Sequence, residues 1–402
     1  MTDFSLTIGP VTMTLMEGAD FGQVLQALDF GSTARADVPR LASVRSDMPR
    51  AFKFTAYIEA DTKDEAIATV SALNRALSVS NTMVVQTKDA AASVSFRTFP
   101  SGSARQAGAE GSWELSNWQF VDVALTVEPY AYGDEIVDPH TIAAPTTINL
   151  DTMGGDYTAP LAIEAEIIDS GDKLHSLYFA LNEHPEWDGW IVAASDLTWT
   201  NMSAAVVDAT AYGGYHKYTT GTDRAVANVD TKDVPPGDYL VLMRAKMGGA
   251  STAALDIAAA TRWTETVPAT GTTWRYYEVG DLSLPYSLVR GGVSSNMPIG
   301  ITSSSGTNHC YIDQVVLLPY RSGYCSWHGG TDSSSYWYED VYFDDDGAVY
   351  LDNVCHLENA TGAPIHSLAG ELIVLTDEKD GDTASTNLTV TLTQTPRYSL
   401  YG

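Results

Sequence analysis

The sequence is poor in basic residues and has no long apolar run. Lys and Arg number 22 against 51 Asp and Glu, which gives a formal net charge of −29. Proteins bind nucleic acids and anionic membranes largely through Lys and Arg, so this balance argues against a surface for either. No stretch approaches the roughly 18 apolar residues of a membrane-spanning helix, and the N-terminus lacks the features of a signal peptide. We therefore expect no membrane insertion.

Cysteines and enzyme motifs are also scarce. Cys310, Cys325 and Cys355 are too few and odd in number for a disulfide framework, so we expect synthesis in a reducing cytoplasm. The sequence contains no G-x-S-x-G, H-E-x-x-H, Walker or G-x-G-x-x-G motif, and its eight histidines are scattered. The chain is predicted not to be an enzyme and to need no cofactor. A glycan-degrading enzyme stays open as an alternative, because the two carboxylates it needs have to be close only in space.

One clear helix is predicted, over residues 62–79. Thr62 and Glu65 match a capping box, in which each side chain binds an otherwise unpaired backbone N–H of the other residue. Apolar residues recur behind this start at steps of four and three, which gives the helix one face for packing. The residues of this face are Ala66, Val70, Leu73 and Leu77.

The remaining segments predict a mainly β fold, because aromatic residues make up 10% of the chain and alternating apolar runs recur. Residues 1–135 are predicted to form a β-barrel or sheet on which the helix packs. Residues 136–154, rich in Asp, Pro, Thr and Gly, are predicted as a linker. Short strands between turn clusters over 155–320 predict an antiparallel jelly-roll β-sandwich. Strands continue through 321–402, which either complete the N-terminal domain, join the jelly roll or stand alone.

Several segments together resemble tail proteins of long-tailed bacteriophages, in particular the distal tail protein and related minor tail proteins. They are the strand–helix–strand segment AFKFTAYIEADTKDEAIATVSALNRALSVSNTMVVQ, the long strand WQFVDVALTVEPYAYGD and the terminal NLTVTLTQTPRYSLYG. Residues 155–320 resemble an inserted jelly roll of the carbohydrate-binding-module type. That likeness lies in PGDYLVLMRAK (236–246) and IDQVVLLP (312–319).

The resemblance implies a virion protein at the tail tip, made in the host cytoplasm. Family members form a ring, usually hexameric, around the DNA channel, where they contact tail-tube and tail-tip proteins and carry outward domains. An acidic ring fits a channel that DNA crosses without specific binding, since positive contacts would retard it. Two alternatives remain. The chain could be a subunit of the phage tail tube, or it could be a free carbohydrate-binding protein that is not part of a virion.

Aromatic residues in the predicted jelly roll are candidates for contact with glycan. Exposed Trp and Tyr rings stack on the apolar faces of sugars, and the loop YGGYHKY combines glycine with such rings. The candidates are Trp187, Trp190, Tyr212 and Tyr215. The same residue types also build the cores of β-sandwiches, so burial decides between the two roles.

Two motifs with metal-binding side chains complete the candidates. Cys325 and His328 offer sulfur and nitrogen of the kind that zinc binds. Asp344 and Asp346, in an acidic turn, offer oxygens of the kind that calcium binds. Neither motif completes a known ligand set, and the alternative reading is buried thiols, surface histidines and Asp/Gly hairpin turns. The sequence therefore predicts no metal site.

Overall fold

The structure is a computed structural model. The residues that it describes are 5–14, 50–59, 61–86, 93–100, 102–106, 118–128, 130–167, 173–202, 206–207, 211, 215–218, 223–249, 252–257, 264–268, 273–284, 296–303, 309–321, 323–329, 338, 340–345, 348–351, 354–356, 360–363, 365–367, 370–378 and 388–398. The chain divides into two units. The N-terminal unit comprises Met1–Asp134, Gly155–Tyr157 and Thr395–Gly402, and the second unit comprises Glu135–Gly154 and Thr158–Gln394.

The N-terminal unit is one antiparallel sheet, called sheet I, with one helix in its described part. Its elements are β1 (Ser5–Ile8), β2 (Val11–Thr14), β3 (Arg50–Glu59), α1 (Lys63–Leu77), β4 (Asn81–Gln86), β5 (Ser93–Thr98), β6 (Ser103–Gln106), β7 (Trp118–Val127), β8 (Ala131–Tyr132) and β31 (Arg397–Tyr398). The main strand order is β2-β1-β4-β5-β7-β3, with β6 beside β7 and β8 between β5 and β31. Strands β2 and β3 also approach each other, so the sheet curls toward a barrel.

Helix α1 begins at the predicted capping box. The Thr62 N–H donates to Glu65 Oε2 at 3.1 Å, and the Glu65 N–H donates to Thr62 Oγ1 at 3.3 Å. Leu73 and Leu77 of the predicted apolar face are fully buried. They pack the helix onto sheet I, whose strand β7 alternates as predicted, with Val123, Leu125 and Val127 buried. The sequence therefore set the start of this helix and the face on which it packs.

The described residues of the second unit form four antiparallel sheets. Sheet II has the order β10-β29-β12-β23-β27, and sheet III has the order β26-β25-β24-β11-β30-β9, with β28 beside β11. Their strands are β9 (Ile136–Ile142), β10 (Thr146–Asn149), β11 (Ala159–Ile167), β12 (Leu174–Asn182), β23 (Tyr324–His328), β24 (Asp340–Phe343), β25 (Val349–Leu351), β26 (Val354–His356), β27 (Ala360–Ala363), β28 (Ile365–Ser367), β29 (Glu371–Glu378) and β30 (Leu388–Gln394). Sheets II and III together form the carrier sandwich.

Sheets IV and V lie between β12 and β23 in the chain and form the inserted sandwich. Sheet IV has the order β14-β15-β22-β17-β20, with β13 beside β22, and sheet V has the order β16-β21-β18-β19. Their strands are β13 (Ile191–Ala193), β14 (Val206–Val207), β15 (Tyr215–Tyr218), β16 (Ala225–Asp230), β17 (Gly237–Met247), β18 (Ala253–Ile257), β19 (Thr264–Val267), β20 (Arg275–Leu284), β21 (Asn296–Ser303) and β22 (Cys310–Pro319).

Sheet II packs against both sheet III and the inserted sandwich, so its central strand β12 is buried on both faces. Leu177 and Phe179 of β12 belong to the core of the carrier sandwich, whereas Tyr178 and Ala180 belong to the core of the inserted sandwich. All nine residues of β12 are buried for this reason. The mainly β fold class, with one packed helix and antiparallel sheets, is confirmed.

The domain boundaries differ from those expected. The segment predicted as a linker, 136–154, contains β9 and β10, which are strands of the carrier sandwich. The linker prediction rested on the Asp, Pro, Thr and Gly content of this segment. Strand β9 nevertheless forms there because it is an edge strand, where Pro139 is tolerated without breaking a ladder of hydrogen bonds. Residues 321–394 belong to the second unit, and only Thr395–Gly402 joins the N-terminal unit. No helix among the described residues is long and apolar enough to cross a membrane.

Candidate functional site

The tryptophans proposed for glycan contact are packing residues in the inserted sandwich. Trp187 is 9% exposed and Trp190 is 6% exposed, and both belong to its core. The Trp187 ring meets the Tyr239 ring edge to face, with centroids 5.5 Å apart. Rings buried in this way offer no free face for stacking on a sugar. Tyr212 lies outside the described residues, and Tyr215 lies in β15, where only the backbone is described.

A cleft lies beside Trp187, where the chain enters and leaves the inserted sandwich. Its volume is about 270 Å³, slightly below the range of typical small-molecule sites. The residues that line it are Leu181, Asn182, Glu183, His184, Trp187, Pro236, Gly237, Asp238, Tyr239, Ser283, Leu284, Pro319 and Arg321. The lining therefore combines apolar and aromatic residues with charged and hydroxyl-bearing ones.

The Asp238 carboxylate has two side-chain partners in the cleft. It accepts a hydrogen bond from Ser283 Oγ at 2.5 Å and forms an ion pair with Arg321 Nε. The Arg321 side chain is 79% exposed, so the pair is open to solvent on one side. Burial and the Asp238 charge both raise the pKa of the neighbouring Asp281.

A carboxylate and a guanidinium side by side can bind one hydroxyl-bearing ligand, because one accepts and the other donates hydrogen bonds. This cleft was missed at the level of sequence because its charged residues, Asp238 and Arg321, are 83 positions apart. Two features quoted in the sequence analysis do lie in this cleft: Trp187, and the segment PGDYLVLMRAK, which contains Asp238.

The candidate metal residues do not converge. The Cys325 side chain packs in the core of the carrier sandwich, and burial raises the pKa of its thiol far above the usual value. His328 lies three residues further along the same strand and so points to the opposite face of sheet II. Among the described residues, no group of three or more His, Cys, Asp and Glu side chains could hold a metal ion.

Asp344 closes a hairpin turn. Its N–H donates to the Ala348 carbonyl at 2.9 Å, and its Oδ1 accepts from the Ala348 N–H at 2.7 Å. Asp344 therefore stabilises a turn, which is the role that the sequence analysis gave as the alternative to calcium binding. Asp346 lies outside the described residues.

A cluster of tyrosines and arginines joins the segments of the N-terminal unit that are distant in sequence. The Arg397 guanidinium lies 5.0 Å from the centre of the Tyr130 ring, and the Arg97 guanidinium lies 4.7 Å from that of Tyr132. Tyr130 also packs on Tyr157, with ring centroids 4.9 Å apart. Cation–π contacts of this kind contribute about 0.5–1 kcal/mol each at exposed sites.

Backbone bonds also join these segments. Strand β31 pairs with β8 through Arg397 opposite Tyr132, and the Asp156 N–H donates to the Arg397 carbonyl at 2.8 Å. Gly155 precedes this bond with φ of +115°, and a Cβ there would lie 2.8 Å from the Arg397 oxygen. The residues on either side of the second unit are therefore held together inside the N-terminal unit.

No protein-family model matches the chain, and no curated protein matches it in sequence. Among solved structures, it is similar to the Dit protein of phage SPP1, described as a hub of the adsorption apparatus in phages of Gram-positive bacteria. The identity is 10% over 67% of this chain and 79% of that chain, with a TM-score of 0.24.

Two further similar structures are a chain of the phage P2 baseplate and an uncharacterized Listeria monocytogenes protein crystallised with glucose, magnesium and calcium. The first has 6% identity over 86% of this chain and 79% of that chain, with a TM-score of 0.21. The second has 10% identity over 67% and 22%, with a TM-score of 0.24. Matches with TM-scores this low define neither the fold nor the function of the chain.

Proposed function

We propose that the chain is a non-enzymatic structural protein of a bacteriophage tail tip. Its N-terminal unit forms a ring around the DNA channel, a hexamer by resemblance, and joins the tail tube to the tip or baseplate. The observation that carries the proposal is that β8, which precedes the second unit, pairs with β31, which follows it, inside the N-terminal unit. A ring subunit closed in this way can carry a large insertion while its own sheet stays intact.

Two features of the sequence support this function. The strand–helix–strand segment and the long strand β7 that resemble distal tail proteins are elements of sheet I and its helix. Residues 1–134, which would form the ring, contain 16 Asp and Glu against 10 Lys and Arg, and this acidic balance suits a channel that DNA must cross without binding. The proposed location is therefore the tail tip of the virion, with tail-tube and tail-tip proteins as partners.

The copy number in purified particles tests this assignment. We expect quantitative mass spectrometry of particles to find the chain at about six or twelve copies, the number that one or two hexameric rings would contain. A copy number of tens to hundreds would support the alternative of a tube subunit. Absence of the chain from particles would refute the virion assignment and leave a free carbohydrate-binding protein as the alternative.

The inserted sandwich serves in this proposal for contact with host glycan or with another protein. The cleft at Asp238 supports a hydroxyl-rich ligand such as a glycan, because a carboxylate and a solvent-exposed guanidinium lie side by side in it. Binding of the wild-type chain to a glycan array should be lost in Asp238→Asn and Arg321→Ala, and kept in Arg75→Ala, a control that changes an exposed arginine of helix α1. An array without wild-type binding would leave protein contact as the role of this sandwich.

A further inference from the structure

An ionic cluster is buried where the inserted sandwich meets the carrier sandwich. Arg244 of β17 is fully buried, and its guanidinium contacts two fully buried carboxylates. Nη1 lies 2.5 Å from Asp313 Oδ2 within sheet IV, and Nε lies 3.2 Å from Asp377 Oδ1 of sheet II. The cation therefore belongs to one sandwich, and one of its two anions belongs to the other.

Asp377 bonds to both sandwiches at once. Its Oδ2 accepts from Ser176 Oγ of its own sheet at 3.1 Å and from the Tyr276 backbone N–H of sheet IV at 2.8 Å. Together with Arg244, the inserted sandwich thus provides two donors to a single carboxylate of the carrier. These bonds fix both the distance and the direction of approach, because charged hydrogen bonds are short and directional.

The apolar contacts around this cluster have no such directionality. Tyr178 and Tyr276 meet across the same boundary, with ring centroids 5.8 Å apart, and Ile373 and Leu375 pack beside them. Apolar packing resists separation but permits sliding, since its energy follows buried area and not orientation. A buried ion pair, in contrast, seldom adds net stability over an apolar replacement, because desolvation offsets the attraction.

We infer that Arg244, Asp313 and Asp377 form a latch that fixes the orientation of the inserted sandwich on sheet II. The two sandwiches then move as one rigid body, and the cleft at Asp238 keeps a constant direction relative to the carrier. The inference rests on the packing of the second unit alone and holds whether or not the chain is a tail protein.

Hydroxyl-radical footprinting of the full chain with Asp377→Asn tests the latch. The substitution removes the charge that receives Arg244 and keeps the size of the side chain. We expect oxidation of Tyr178 and Tyr276, which face each other at the boundary, to rise about tenfold, the scale set by losing one charged hydrogen bond. Phe179 and Phe343, which pair in the carrier core, should stay protected.

A matched control is Asp256→Asn, which breaks the ion pair with Arg224 inside the inserted sandwich. It should leave Tyr178 and Tyr276 protected, because that pair does not reach sheet II. If Asp377→Asn does not fold, Arg244→Lys keeps the charge but loses the planar group that spans both carboxylates, and it should give a smaller rise at the same two tyrosines. No rise at these rings, or an equal rise in the carrier core, would overturn the inference.

Discussion

The amide of Asn74 links helix α1 to the sheet of the N-terminal unit. Its Nδ2 donates to the Ala104 carbonyl at 3.0 Å, and its Oδ1 accepts from the Ala104 N–H at 2.8 Å. Ala104 lies in β6, which pairs with β7 on its other side. The side chain thus provides the backbone groups of β6 with the partners that a further strand would offer. Asn74→Ala removes both hydrogen bonds.

The expected loss of unfolding free energy is the cost of the two hydrogen bonds minus the gain in helix propensity. Each neutral hydrogen bond contributes about 0.5–1.5 kcal/mol net, so losing both costs about 1–3 kcal/mol. Alanine is the better helix former by about 0.5 kcal/mol, which offsets part of that cost. The N-terminal unit should therefore lose about 1.5 kcal/mol, and its melting temperature should fall by roughly 3–6 °C for a domain of this size.

Calorimetry of the full chain measures this shift in the transition of the N-terminal unit. Ser71→Ala, at an exposed position of the same helix, controls for helix propensity and should raise the melting temperature slightly. Asn74→Asp should be at least as damaging as Asn74→Ala, because a carboxylate has no donor for the Ala104 carbonyl. A melting temperature for Asn74→Ala equal to or above that of the wild type would refute the reasoning.

Three further predictions concern single groups. Thr62→Ala removes the helix cap and should cost about 1 kcal/mol of unfolding free energy, measured by denaturant titration. Burial raises the pKa of Cys310 to about 12 and that of Cys325 still higher, so peptide mapping should find both thiols unmodified by iodoacetamide at neutral pH until the chain unfolds. Burial and the hydrogen bond to Glu128 raise the pKa of Tyr132 to about 12. Its ordinary value applies in the unfolded chain, so the stability difference between wild type and Tyr132→Phe should be constant below pH 10 and should fall as the pH rises to 12. Labelling of native Cys310, no effect of Thr62→Ala, or a pH-independent difference would contradict the respective prediction.

Local features of the fold were predictable because their causes are local. The capping box at Thr62 and the apolar face with Leu73 and Leu77 lie within one helix, so the sequence alone determined them. The alternation along β7 was equally legible, because one face of that strand is buried. Such patterns need no knowledge of what lies on the other side of the sheet.

The nested insertion was not predictable, because it depends on pairing between distant residues. Strand β12 pairs with β23, so Ala180 lies opposite Tyr324 although the whole inserted sandwich separates them in the chain. Burial on both faces also removes the alternation by which a half-buried strand is recognised. The edge strand β9 was not recognised as a strand for a different reason, because the exposed Pro139 gave it the composition of a linker.

The glycan-contact role of Trp187 and Trp190 was mispredicted for a related reason. Trp187 and Trp190 have the residue type of a glycan platform, but the same rings fill the core where the inserted sandwich begins. Residue type gives no information on exposure, which depends on the neighbouring sheet. The polar edge of the cleft depends in the same way on Asp238 and Arg321, which lie on different elements and meet only in the folded chain.

Both insertions begin and end at paired backbone. The Leu181 N–H donates to the Gly323 carbonyl at 2.9 Å where the inserted sandwich leaves and rejoins the carrier, and β8 pairs with β31 where the second unit leaves and rejoins the N-terminal unit. An insertion whose ends are held together in this way does not stretch its host, and its length adds little to the entropy of closing the loop. Each host sheet can therefore keep its own pairing while the inserted part changes. This separation is what the proposed function requires, because ring assembly is then assigned to the N-terminal unit and contact with host glycan or protein to the inserted sandwich.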